Sequence, residues 1–250
     1  MYDIRGIIGS DVTSELAWHL GRAFATLLKK ENPDRALSVC VGHDMRETSP
    51  EFQGEIMRGL LESGVKVFDI GLVSTPALYF AVGHLAVDGG ISVTASHNPV
   101  EYNGFKFTRS NAQPVAGDTG ITAMADLIEK EAYCSLSAGS IEKSEGIIEK
   151  HVRGEFAFAG PDSIRPLKIV ADTGNGMGAT YLDEFFKIIG ADVTRLYWEL
   201  DGSFPNHESN PLKFETLRDL QAKVREVGAD IGIATDGDGD RIFYVDNEGE

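Results

Sequence analysis

Apolar positions along the first part of the chain alternate between two periods. Residues 14–30 place Leu16, Leu20, Phe24, Leu27 and Leu28 at helical spacing behind the potential caps Thr13 and Ser14, and residues 37–41 form a short apolar run of strand type. The same pattern predicts a helix over 52–63, strands over 66–70 and 91–94, and a helix over 75–85 between those two strands. A second cycle predicts strand 168–171, a Gly-rich turn, helix 179–189, strand 193–197, helix 214–227 and strands 231–234 and 242–245. Strands alternating with helices imply crossover connections and largely parallel sheets. Residues 132–146 (AYCSLSAGSIEKSEG) have loop composition and mark the boundary between two α/β domains. The last strand runs into Asn247, Glu248 and Gly249, which announce a hairpin. The chain then stops at Glu250, as an excised fragment would, or as an edge strand with a short tail would.

Composition narrows the class. No apolar stretch is long enough to cross a bilayer, and the first twenty residues lack the basic, apolar and small-residue zones of a secretory signal, so a cytoplasmic location is expected. The two cysteines, Cys40 and Cys134, have neither metal-ligand spacing nor disulfide density and are expected to be free thiols. A formal net charge of -16 argues against nucleic-acid and anionic-membrane partners, which are bound through clustered Lys and Arg. A small phosphorylated ligand remains compatible with a few local cations.

Two segments that follow strands carry chemistry. Thr94-Ala95-Ser96-His97-Asn98-Pro99 presents a hydroxyl, an imidazole and an amide where open α/β sheets bind ligands. A hydrolase triad is a poor reading, because there is no G-x-S-x-G elbow and adjacent residues rarely place a base on the neighbouring nucleophile. The second segment is Thr235-Asp236-Gly237-Asp238-Gly239-Asp240-Arg241. Its three carboxylates at alternate positions, separated by glycines, can converge on one hard cation such as Mg2+; without a cation they would repel one another. A calcium loop of the EF-hand type is excluded by Arg241 at its sixth position and Asn247 at its twelfth. Arg241 is a planar cation suited to phosphate. Arg5, Arg46 and Lys106 lie in similar turn or strand-end contexts, and together could offset the charge of a phosphoryl group. Gly174-Asn175-Gly176-Met177-Gly178-Ala179, with Glu199 about twenty residues on, keeps a Rossmann-type dinucleotide-binding protein as a rival, although packing and turn geometry suffice to explain it.

Taken together these segments resemble the α-D-phosphohexomutase family. The resemblance rests on Tyr2-Asp3-Ile4-Arg5-Gly6, Thr94 to Pro99, Tyr102-Asn103-Gly104-Phe105-Lys106, Asp201-Gly-Ser-Phe-Pro-Asn-His and Asp236 to Arg241, in that order over essentially the whole chain. Tyr-Asn-Gly-Phe-Lys looks like the phosphomannomutase/phosphoglucomutase branch, whereas the phosphoglucosamine branch usually has Asp-Asn-Gly-Ile-Lys. Gly42-His43-Asp44 departs from the more usual Gly-Arg-Asp.

The resemblance implies two consecutive three-layer α/β/α domains with mixed, mainly parallel sheets, over 1–143 and 144–250, with a third and fourth domain absent from this chain. It implies a phosphomutase of the isomerase class that interconverts hexose 1-phosphate and 6-phosphate through a hexose 1,6-bisphosphate. Ser96 would carry the phosphoryl group. Asp236, Asp238, Asp240 and an oxygen on the Ser96 phosphate would hold Mg2+. Lys106 and His97 are the implied acid/base groups, Arg5 and Arg241 would stabilise the serine phosphate, and Tyr2 and Asn98 would line the substrate pocket. Sugar recognition would lie beyond Glu250, so this chain alone would lack efficient turnover.

Overall fold

The computed structural model describes residues 3–134, 138–160 and 166–250. The chain divides into two compact units. One comprises the chain up to Val73 with Ala77–Ala95 and Glu101–Ile147, and the other comprises Ser74–Pro76, Ser96–Val100 and the chain from Ile148 onward.

The first unit is built on β1 (Ile4–Ile7), α1 (Ser14–Glu31), β2 (Ser38–His43), α2 (Ser49–Glu62), β3 (Lys66–Leu72), α3 (Thr75–His84), β4 (Gly89–Val93), β5 (Tyr102–Arg109), α4 (Thr122–Glu129) and β6 (Ser140–Lys143). Helix α1 begins where its cap dictates: the Thr13 side chain accepts the Leu16 N–H, Glu15 occupies the positive first turn, and Lys29 and Lys30 occupy the negative last turn. Leu20, Phe24, Leu27 and Leu28 are buried on its inner face.

The strands form one sheet in the order β1-β5-β4-β2-β3-β6. β2 pairs in parallel with β3 and β4, and β3 with β6, while β5 runs antiparallel to both β1 and β4. Val39, Val41, Val67, Ile91 and Val93 pack with Phe24, Phe105 and Phe107 in one core, where the Phe24 and Phe107 ring centroids are 5.1 Å apart. Full burial of each such ring stabilises the fold by roughly 2–3 kcal/mol.

Residues 132–146 are not loop throughout. Ser140–Lys143 forms an edge strand on β3, with Lys66 opposite Ser140 and Asp69 opposite Lys143. All four residues are exposed, so no apolar alternation marks the strand; backbone pairing to β3 supplies what the side chains do not. Cys40 is buried, and its thiol is pushed up to about 12 by desolvation.

The second unit contains α5 (Ile147–Ala159), β7 (Lys168–Asp172), α6 (Gly178–Ile189), β8 (Asp192–Leu196), α7 (Arg218–Val227), β9 (Ile231–Thr235) and β10 (Ile242–Val245). Its sheet has the order β10-β9-β7-β8, parallel except for the β9–β10 pair. Alternate residues of the central strands face opposite layers. Ile169, Ala171 and Ile233 pack with Leu182 and Phe186 of α6, whereas Val170 and Ala234 pack with Leu220 and Val224 of α7. The predicted helix over 214–227 is a 3-10 turn at Phe214–Leu217 followed by α7. After β10 the chain turns, with the Asp246 N–H bonded to the Glu250 carbonyl and the Gly249 N–H to that of Asp246.

Both sheets are mixed and mostly parallel, as the alternating pattern predicts. Among the described residues no helix is long and apolar enough to cross a membrane.

Candidate active site

The second unit brings Ser96 and the three aspartates together. The chain leaves β4 at Val93, and Ser96 then adopts a left-handed conformation with φ of 53°. A non-glycine residue is strained there, and such strain gathers at functional sites. The bend aims the fully buried Ser96 hydroxyl at the carboxylate loop: Oγ donates to Asp236 Oδ2 at 2.9 Å. The same bend brings His97 Nδ1 within 3.3 Å of Ser96 Oγ, so here adjacent residues do place an imidazole beside the hydroxyl, contrary to the expectation from spacing.

The loop itself follows β9. Asp236, Asp238 and Asp240 each offer a carboxylate oxygen, all within 4.8 Å of one another, with the first two side chains buried and the third exposed. Glycine at 237 is a steric requirement, since a Cβ there would lie 2.3 Å from the Ser96 carbonyl oxygen. Burial and the neighbouring Asp238 and Asp240 charges push the Asp236 carboxyl up to about 7, against the opposing bond from Ser96. Hard oxygen donors, close spacing and a carboxylate held so far above its ordinary range fit a divalent cation of the Mg2+ type.

Arg241 braces this loop. Its backbone N–H donates to Asp236 Oδ1 at 3.1 Å, and its Nε lies 3.8 Å from Asp236 Oδ2 and 3.9 Å from Asp240 Oδ1. Its side chain keeps one third of its surface exposed. Thr75 has a role that the sequence pattern does not reveal. Its Oγ1 donates to Asp238 Oδ2 at 2.6 Å and its N–H to the Asp238 carbonyl at 3.0 Å, pinning the second carboxylate from 163 residues away. Asn98, two residues after the strained Ser96, is half-buried.

Arg5 and Lys106 belong to the first unit. Arg5 on β1 stands opposite Gly104 of β5, so its side chain leaves the sheet on the same face as Lys106, two residues further along β5. Arg5 donates to Asp3 at 2.7 Å, and Lys106 is buried. Arg46, one of the cations that together could offset phosphoryl charge, is placed in a pair. It is only 2% exposed, lies 3.3 Å from buried Asp44 and donates to the Tyr102 carbonyl. His43 Nδ1 bonds the Asp44 carbonyl at 2.7 Å. Tyr2 lies outside the described residues.

The Gly-rich turn serves the carboxylate loop. A Cβ at Gly178 would lie 2.1 Å from Thr235 Oγ1, and the Met177 N–H donates to the Gly237 carbonyl at 2.8 Å. Glu199 contributes its backbone carbonyl, as acceptor for the Asn175 side chain, so the features that suggested a dinucleotide site are used within the unit's own packing.

Comparison with known proteins bears on the whole chain. The family model for phosphoglucomutase/phosphomannomutase, alpha/beta/alpha domain I, matches residues 1–133, and that for domain II matches residues 150–249. A phosphomannomutase of Vibrio cholerae serotype O1 is 39% identical over 254 residues, covering 100% of this chain and 55% of the relative. A phosphomannomutase/phosphoglucomutase of Pseudomonas aeruginosa is 40% identical, covering 99% and 52%. The crystal structure of a phosphoglucomutase/phosphomannomutase family protein from Burkholderia thailandensis superimposes with a TM-score of 0.90 at 36% identity, over 100% of this chain and 54% of that one. The chain spans about half the length of the curated relatives it matches.

Proposed function

Because this chain belongs to the phosphoglucomutase/phosphomannomutase family, we propose that it carries the phosphoryl-transfer centre of a hexose phosphomutase, with Ser96 as the group that gives and takes the phosphoryl. The observation that carries this reading is the 2.9 Å bond between a buried, conformationally strained Ser96 hydroxyl and the first of three clustered carboxylates.

Asp236, Asp238 and Asp240 would hold Mg2+ together with an oxygen on the Ser96 phosphate. When bound, the cation supplies charge neutralisation at the phosphoryl oxygens, the dominant need in this chemistry. In the forward step the bond from phosphorus to Ser96 Oγ breaks and one to a sugar hydroxyl oxygen forms, giving a hexose 1,6-bisphosphate. The hydroxyl proton passes to Lys106 or His97. Transfer of the other phosphate back to Ser96 reverses the sequence. Arg5 and Arg241 offset the negative charge, and Asn98 and Tyr2 line the substrate side. Mannose and glucose phosphates are the proposed substrates, and a cytoplasmic location suits them.

We place the two family domains at 1–143 and 144–250. We further propose that sugar orientation depends on the additional length present in the relatives, so that these 250 residues accept a phosphoryl group yet turn over hexose phosphate poorly. Incubation with glucose 1,6-bisphosphate followed by intact-mass measurement tests the reading. One phosphoryl adduct is expected on the native chain and none on Ser96→Ala; absence of the adduct from the native chain, or its persistence in the variant, defeats it.

A further inference from the structure

Outside the residues assigned a chemical role, one network of buried polar groups ends on the carboxylate loop. Asp172 closes strand β7 and is 2% exposed, so its carboxylate needs donors. It accepts the Gly174 N–H at 2.9 Å and His207 Nε2 at 3.1 Å. The other ring nitrogen of His207 bonds the Glu208 carbonyl at 2.8 Å. Both nitrogens therefore face acceptors, and although burial alone would lower the imidazole pKa, the bond and charge of Asp172 hold it above its ordinary value. The Tyr197 ring meets the imidazole edge-on at a centroid distance of 5.1 Å, and Tyr197 is itself tied to Asp219 by a 2.6 Å bond.

From Asp172 the connection runs through the turn after β7. Gly174 and Asn175 both have left-handed backbones, with φ of 51° and 62°. Asn175 tolerates that region better than most side chains, and its neighbours hold it there. It is held by its N–H on the Tyr197 carbonyl at 2.7 Å, by its side-chain amide on the Glu199 carbonyl at 2.9 Å, and by Asn206, which donates to its Oδ1 at 2.8 Å. Asn206 and His207 thus grip the turn at two adjacent points. At the far end of that turn, the Met177 N–H donates to the Gly237 carbonyl at 2.8 Å, and Gly176 lies so close that a Cβ there would be 2.9 Å from the same oxygen. That carbonyl belongs to the peptide leading into Asp238.

We infer that His207 is a positioning residue: through Asp172 and the turn ending at Met177 it fixes the Gly237 carbonyl, and hence the angle at which Asp238 is presented to its partners. The inference rests on the reading that the three aspartates hold a divalent cation. It assigns Asn206 and His207 a task that exposure and loop composition alone do not suggest. Thr75 pins Asp238 through its side chain and carbonyl, whereas His207 acts on the preceding peptide, so the two supports are independent. Groups that orient metal ligands from outside the coordination sphere typically change metal affinity by 10–100-fold when lost.

Two measurements on His207→Ala and His207→Gln decide the matter. In the metal-free chain, backbone amide resonances of Met177, Gly237 and Gly239 are expected to shift in His207→Ala; a perturbation that stops at Gly174 and Asn175 overturns the inference. Mn2+ affinity followed by electron paramagnetic resonance is expected to fall about tenfold in His207→Ala. Most of it should return in His207→Gln, whose amide can still donate to Asp172. Unchanged affinity in His207→Ala overturns the inference, as does an equal loss in both variants. If the native chain binds no Mn2+, the cation reading fails, and the amide shifts alone then decide whether His207 positions the loop. A purely structural role would lower the unfolding midpoint while leaving both the loop resonances and the Mn2+ affinity unmoved.

Discussion

Replacing Asp236 by Asn should make the metal-free protein more stable at pH 8 and leave it little changed near pH 4. The native carboxyl has its pKa raised from 3.8 to about 7 by burial and by Asp238 and Asp240. That difference corresponds to about 4 kcal/mol of unfavourable charging. A direct estimate agrees in size: two unit charges 4.8 Å apart repel by about 3 kcal/mol at an effective dielectric of about 20. The sign follows from linkage. A carboxyl with a raised native pKa favours folding below 3.8, and that contribution disappears as pH climbs through about 7. The native chain therefore loses up to about 4 kcal/mol from this group between pH 4 and pH 8. Asp236→Asn has no such loss, and its amide can still accept the Arg241 N–H and meet the Ser96 hydroxyl. Urea unfolding of chelator-treated native and variant protein across this range measures the difference directly. Saturating Mg2+ should close most of the gap at pH 8, because a ligand at a hundred times its dissociation constant stabilises by about 3 kcal/mol and the variant has lost one carboxylate. A stability difference between the two proteins that is independent of pH would refute the reasoning.

Other expectations follow from single contacts. Gly237→Ala places a methyl 2.3 Å from the Ser96 carbonyl and should slow phosphoryl uptake from a hexose bisphosphate by about 100-fold, since displacements of about 1 Å have that cost; rapid-quench mass measurement checks it. Thr75→Ala removes a hydrogen bond to the Asp238 carboxylate, worth about 1.5–3 kcal/mol, and should weaken Mg2+ binding by calorimetry, with Thr75→Ser restoring it. Phe24→Ala empties a fully buried site in the first unit and should cost about 3–5 kcal/mol of unfolding free energy, while Mn2+ affinity stays unchanged.

Legibility in the sequence followed the range over which each feature is determined. Helix α1 is readable because its cap, its end charges and its apolar face all lie within nineteen consecutive residues, Thr13 to Glu31. The carboxylate loop is readable for the same reason: three carboxylates and the two spacing glycines occupy Asp236 to Asp240. Strand β6 is hidden because its stability comes from pairing with β3, and its four side chains all face solvent. Thr75 escapes notice because its partner Asp238 is 163 residues away. The partner of Arg46 is not legible because charge does not reveal burial; only the fold shows Asp44 beside it. His97 beside Ser96 depends on a left-handed backbone that no residue type in Ala95-Ser96-His97 announces.

The central claim is that Ser96 both accepts and returns a phosphoryl group. The most direct test is to phosphorylate the chain with glucose 1,6-bisphosphate, remove the reagent, locate the modification by peptide fragmentation, and then add mannose 1-phosphate with Mg2+. Phosphate is expected on Ser96 alone, and its loss in step with the appearance of mannose bisphosphate. Phosphate on another residue, or a Ser96 phosphate released only as inorganic phosphate, would contradict it.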